Sequence, residues 1–190
     1  MKIATKTGDD GFSKLMFGSR KPKNNAAFHV LGDIDETSAL MGLAKSKLRN
    51  SYKNFAESHI CFIEDLQKNL FNLMGELNCD TADDVKKYIK SFDALTEADM
   101  QNLDGWVDFL QNLPELEMKD WVLYGKSETG AILDVASKVC RRAERSLIAL
   151  NQERKGLHRE LLGRFINRLS DYLFLLARLI DYQMEPTNVS

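Results

Sequence analysis

Apolar residues recur three and four positions apart over five stretches of the chain, the period of an amphipathic helix. The clearest is Ile60–Leu77, where Ile63, Leu66, Leu70, Leu73 and Leu77 make a bundle seam. Ala27, Leu31, Ile34, Met41 and Leu48 predict a helix over Ala26–Leu48. Leu103, Val107 and Leu110 predict another that stops before Pro114, with Thr96 and Asp99 as a capping box at its start. Ile132, Val135, Val139, Ala143 and Leu150 give a stripe over Ala131–Leu150. The last helix runs from about Arg159 to Met184, with Leu162, Phe165, Leu169, Leu173, Leu176 and Ile180 inward. Residues 79–94 are polar and mixed, a connection with room for a short helix. No convincing strand run is present and no proline falls inside a helical stretch. The expected fold is all-α, a five-helix bundle.

Residues 114–129 read as a structured loop. Trp121, Val122, Leu123 and Tyr124 are too apolar to face water idly, so burial under the bundle or the lining of a ligand pocket is expected. Residues 1–24 lack any sustained period. Gly8, Gly11 and Gly18 sit there among Thr5, Thr7, Asp9, Asp10 and Ser13, and Arg20, Lys21 and Lys23 close the segment. Glycine permits positive φ, and successive N–H groups in such a turn converge on an anion. A phosphate-cradling loop has this composition, and so does a solvated N-terminal arm. The Gly-x-x-Gly is not followed by Lys-Ser/Thr, so it is no P-loop.

With 190 residues, the chain is read as one domain: a loop over 1–24, the bundle over 25–184 and a tail over 185–190. A net charge of −2 gives no global attraction to nucleic acid or membranes, so any useful positive charge is local. No apolar run is long enough for a membrane helix, and MKIATKTGDD has no signal-peptide core. Cys61, Cys79 and Cys140 lie far apart, which suits buried thiols in a reducing cytoplasm.

Local charge gathers again on the 131–150 helix, whose polar face reads as Asp134, Ser137, Arg141, Glu144 and Arg145. Arg141, Glu144 and Arg145 are neighbours at helical spacing, and Arg142 adds further charge. A salt-bridged surface and an anion site both have this appearance. Asn167 and Asp171 lie four apart beside the last core stripe, with Arg168 and Asp171 an expected pair. Asp35 shares a face with Leu31, Ser38 and Gly42, whose small side chains leave room beside a carboxylate. His29, His59 and His158 supply no Glu-x-x-His pair for a di-iron site, and H-E-x-x-H and G-x-S-x-G are absent.

Four pieces, in this order and spacing, resemble the PduO-type corrinoid adenosyltransferases: Thr5-Lys-Thr-Gly-Asp-Asp-Gly through Ser13 to Gly18-Ser-Arg20 and Lys23; Gly32-Asp-Ile-Asp35-Glu36 with Gly42; Cys140-Arg141-Arg142-Ala143-Glu144-Arg145; and Asn167-Arg168-Leu169-Ser170-Asp171-Tyr172-Leu173. The resemblance implies a ferritin-like five-helix bundle, a homotrimer with active sites between subunits, and the formation of adenosylcobalamin from ATP and cob(I)alamin. It implies ATP binding by Thr5, Thr7, Gly8, Asp9, Gly11, Ser13, Lys23, Arg141, Glu144, Arg145 and Asn167, with Mg²⁺ carried on the phosphates. It also implies a corrinoid pocket involving Asp35, Trp121 and Ser137, catalytic parts for Arg141, Asp35 and Trp121, and exchange with a cobalamin reductase or an adenosylcobalamin-dependent enzyme.

The chain departs from the family pattern on the corrinoid side. Trp121-Val-Leu-Tyr124-Gly125-Lys126 stands where Phe-x-Leu-Pro-Gly-Gly is usual, and Asp134-Val-Ala-Ser137 where His-x-Ala-Arg is usual. The arginine missing at Ser137 would pair with the carboxylate at Asp35. A transferase is the first expectation. A non-catalytic ATP-binding trimer, serving as nucleotide sensor or corrinoid carrier, is the alternative, and a bundle used only for assembly a third.

Overall fold

The computed structural model describes residues 6–51, 57–118 and 120–183. Thr5 and the tail over 185–190 lie outside the described residues. A short antiparallel hairpin, β1 (Phe12–Lys14) and β2 (Arg20–Pro22), precedes the helices α1 (Ala26–Ser51), α2 (Glu57–Leu77), α3 (Ala82–Ser91), α4 (Glu97–Gln111), α5 (Glu128–Glu153) and α6 (Glu160–Gln183). A single 3-10 turn at Pro114–Leu116 follows α4. No described helix is long and apolar enough to cross a membrane.

Five long helices form the expected bundle, and the polar connection holds the short α3. The hairpin is a departure from a strand-free expectation. Three-residue strands are too short to leave a period in sequence, so only Gly18 at φ 101° marks their turn. Leu15 docks the hairpin in the core, and Met16 donates its amide to the Asn78 carbonyl at 3.0 Å.

The stripes read from sequence on α2 and α6 are buried as expected. Thr96 and Asp99 cap α4 in both directions, at 2.8 Å from the Thr96 amide to Asp99 Oδ2 and 3.2 Å from the Asp99 amide to Thr96 Oγ1. On α5 the stripe is rotated. Leu133, Ala136, Cys140, Ala143, Leu147 and Leu150 point inward, whereas Val135 is half exposed. The reason is double packing: α5 lies against both α1 and α6, so it buries two faces. Asp134 and Ser137, expected on a polar outer face, are therefore buried. Ser137 Oγ donates to the Ser170 carbonyl at 2.9 Å, and Cys140 Sγ to the Ile166 carbonyl at 3.2 Å. Cys79 and Cys140 are buried free thiols, while Cys61 is exposed.

Candidate functional site

Residues 6–24 form a folded loop, not a loose arm. Arg20 bonds both Asp10 oxygens at 2.8 Å and the Thr7 carbonyl at 3.2 Å, and the Arg20 guanidinium holds the Asp10 carboxyl below its usual pKa. Gly11, at φ 83°, accepts from the Lys23 amide at 2.8 Å and closes the loop onto the strand end. Lys21 pairs with Asp80 at 2.8 Å. Arg20 and Lys21 are thus committed to the loop's own architecture, against the expectation that they add to an anion site. Lys14 and Lys23 form no ion pair among the described residues. Lys23 Nζ lies over Gly8, where an added Cβ would sit 3.1 Å from it. Thr7, Gly8, Ser13, Lys14 and Lys23 line one concavity of about 670 Å³, together with Asp10, Phe12 and Arg20. Asp9 and Gly11 are exposed beside it.

The second cluster straddles the α5–α6 seam. Asn167 Nδ2 donates to Glu144 Oε1 at 2.9 Å, and Arg145 Nη1 donates to the Arg141 carbonyl at 3.0 Å. Arg141 is exposed and makes no ion pair or side-chain hydrogen bond among the described residues. Arg145 has no ion pair either, so two guanidinium groups one turn apart remain available. Arg142 differs. It bonds Asp33 on α1 at 2.9 Å and also Glu36, while Ser146 Oγ donates to Asp33 at 2.7 Å. Arg142 is a clamp between α1 and α5 and adds nothing to the anion cluster. Arg168 pairs with Asp104 on α4 at 2.9 Å, not with Asp171 as expected.

Asp171 belongs to this cluster and is absent from the site read in sequence. Burial pushes its carboxyl up, against Arg168 and Arg141, with Glu144 adding to the rise. Sequence places it one turn from Asn167 and pairs it with Arg168, but spacing alone does not assign it to the cluster.

Among the described residues, the concavity at Gly8 and the groove that Arg145 lines are separate. Asp80, which holds Lys21 of the hairpin, also pairs with Arg154 at the end of α5 at 3.3 Å. Arg154 lies 9 to 13 residues beyond Arg145 and Arg141, or roughly 14–20 Å along the helix axis at ~1.5 Å per residue.

Of the two expectations for the loop before α5, burial fails at Trp121 and Leu123, whereas Val122 and Leu123 line a cavity of about 270 Å³. Trp121 is 99% and Leu123 90% exposed, so neither lies under the bundle. Tyr124 is held by Lys138, whose Nζ sits 4.9 Å from its ring centre. Tyr124, Val135, Lys138, Val139, Arg142 and Arg145 contribute to a groove of about 410 Å³ along α5. Asp35 is exposed to solvent, and Ser137 faces α6, so the two are not partners across a gap. The space expected beside Ser38 and Gly42 is filled by Gln67, whose Nε2 donates to the Ser38 carbonyl at 2.9 Å.

The sequence profile described as cobalamin adenosyltransferase matches residues 3–180. The corrinoid adenosyltransferase MMAB of Mus musculus is 34% identical over 178 residues, covering 93% of this chain and 71% of its own. A corrinoid adenosyltransferase of Bacillus subtilis is 35% identical over 182 residues, covering 95% and 87%. Among solved structures, a variant PduO-type ATP:corrinoid adenosyltransferase from Lactobacillus reuteri, complexed with cobalamin and ATP, superposes with a TM-score of 0.81 at 32% identity, covering 95% of this chain and 91% of that one.

Proposed function

The chain belongs to the cobalamin adenosyltransferase family, and from that premise we propose that it transfers the 5′-deoxyadenosyl group of ATP to the cobalt of cob(I)alamin and releases triphosphate. The observation that carries the reading is that Arg141 and Arg145 form no ion pair among the described residues, beside the Glu144–Asn167 bond. Planar guanidinium groups suit a polyphosphate, and Glu144 and Asn167 fix the surface from which they reach.

Cob(I)alamin is itself the nucleophile, so no general base is required. What the protein supplies is alignment of the ribose carbon and stabilisation of a polyanionic leaving group. Arg141 and Arg145 hold the phosphates from the helix; Lys23, Gly8, Thr7, Asp9, Gly11 and Ser13 close from the loop, with Thr5 continuing it. Mg²⁺ would be carried mainly on the phosphate oxygens, since it usually keeps few protein ligands. Trp121 is assigned to the corrinoid face, where its bulk would help shape the pocket that holds the corrinoid for reduction. Asp35 and Ser137 are kept as flanking positions of that pocket, Ser137 through its hold on α6.

The site is completed by a neighbouring subunit in a homotrimer. Two features support this: the axial separation of loop and arginines within one chain, and the bare Trp121 and Leu123. The reaction needs a source of reduced cobalt, such as a cobalamin reductase, and an adenosylcobalamin-dependent enzyme to take the product.

The test is direct. Purified protein, ATP, Mg²⁺ and chemically reduced cobalamin are mixed and the corrinoid spectrum followed. Adenosylcobalamin should accumulate with triphosphate. Tight ATP binding with no adenosylcobalamin would instead favour a nucleotide sensor or corrinoid carrier.

A further inference from the structure

A buried charged network lies behind the exposed loop. Arg178 on α6 pairs with Asp134 on α5 at 2.5 Å and with Asp181 one turn on at 3.2 Å. Asp181 Oδ1 accepts from Ser127 Oγ at 2.6 Å, and Ser127 in turn caps α5 by accepting from the Gly130 amide at 2.9 Å. Gly130 leaves no room for a Cβ against Asp181 and Ser127. All four polar residues are at most 7% exposed.

Such a network is a poor device for stability alone, since a buried ion pair often does no better than apolar side chains of similar volume. This one is also incompletely satisfied: Asp134 Oδ1 and Arg178 Nε and Nη1 have no hydrogen-bond partner among the described residues. The Arg178 guanidinium instead lies 5.0 Å from the ring centre of Phe174 and 5.9 Å from that of Tyr124. Lys138 Nζ lies 5.0 and 4.9 Å from the same two rings. Two cations, one fixed by two carboxylates, thus bracket two aromatic rings. Tyr124 is the loop's contribution, and Gly125 at φ 91° turns the chain immediately after it.

We propose that Arg178 is a positioning residue for the corrinoid half of the reaction: anchored by Asp134 and Asp181, it fixes Tyr124 and so sets the pose from which Trp121 meets the corrinoid. The proposal rests on the assignment of Trp121 to the corrinoid face. It gives the Asp134 and Tyr124 departures from the family pattern a joint role, one residue holding the cation and the other receiving it.

The chain has two tryptophans, so a Trp106→Phe background leaves Trp121 as the reporter. In that background the full-length protein is compared with Tyr124→Leu, Arg178→Met and Arg178→Lys. Tyr124→Leu removes the ring without stranding a buried charge, so it decides the matter if Arg178→Met fails to fold. The expected result is lower Trp121 fluorescence anisotropy and an about tenfold rise in the KM for cob(I)alamin, in keeping with loss of a partly desolvated cation–π contact. The KM for ATP should stay within about twofold, as the phosphate cluster is untouched. Arg178→Lys should fall between wild type and Arg178→Met. Unchanged anisotropy and corrinoid KM in Tyr124→Leu would overturn the proposal. If the parent protein makes no adenosylcobalamin, the transferase reading fails, and the anisotropy comparison still judges whether Arg178 and Tyr124 set the loop.

Discussion

Asn167 on α6 donates to Glu144 on α5 at 2.9 Å, and that bond sets the floor between two arginines with different duties. Arg141 is uncommitted, while Arg142 is spent on Asp33 and Glu36 of α1. Adjacent in sequence, they point to different neighbours because successive helical positions are about 100° apart.

Arg141→Ala is therefore expected to weaken ATP binding by about 1.5–3 kcal/mol, the range for hydrogen bonds to charged groups, while leaving the thermal midpoint nearly unchanged. Arg142→Ala should do the reverse, lowering the midpoint with little effect on nucleotide affinity. Calorimetric titration with ATP and a melting curve on each variant check both. Equal losses of affinity in the two would contradict the division.

A second expectation reverses the one drawn from sequence. The family pattern puts an arginine at Ser137 to pair with Asp35, so Ser137→Arg is the substitution that would supply it. The structure places Ser137 at 1% exposure, bonded to the Ser170 carbonyl, with Asp35 out in water. The longer side chain would overpack the α5–α6 seam and carry an unpaired charge into it, so a loss of at least about 1–3 kcal/mol is expected. Urea unfolding of Ser137→Arg beside wild type measures it. A variant as stable as wild type, with improved corrinoid use, would restore the sequence-based view.

The contrast shows what patterning can and cannot supply. The repeating Leu and Phe positions of α2 and α6 coincide with residues these helices bury, so their stripes were legible. The helix α5 packs on two neighbours, and a single stripe mis-phased it, putting Asp134 and Ser137 on the wrong side. Which residue of a basic run is committed was also hidden. Arg20, Lys21 and Arg142 resemble Lys23 and Arg141 in sequence, and only the positions of Asp10, Asp80 and Asp33 in space separate them. The arginine-bearing helix and the glycine loop were legible as candidates because their chemistry is local. The meeting across subunits proposed for them is not a property of one chain's pattern.

A third expectation concerns acid. Burial lowers His59 to about 4, and burial with the nearby Arg154 charge lowers His158 to about 4. The unfolded chain takes up these protons near pH 6.5, whereas the folded chain resists until near pH 4. Protons thus bind preferentially to the unfolded state in this window, and stability falls as pH drops through it. At pH 5 the loss is roughly 2 kcal/mol per histidine. Denaturant midpoints from pH 7 to pH 4.5 should shift downward, and a His158→Asn variant should flatten the profile. A slope unaltered by that variant would show that other groups carry the acid sensitivity.

The carboxylate of Asp80 receives Lys21 from the hairpin and Arg154 from the far end of α5. It touches neither Arg141 and Arg145 nor the Gly8 concavity, yet it ties the hairpin to the end of the helix that carries those arginines. Damage at this one acid would slacken the glycine loop and the last turn of the arginine helix together. In an assay it would pass for a fault in nucleotide recognition, although the residue meets no nucleotide.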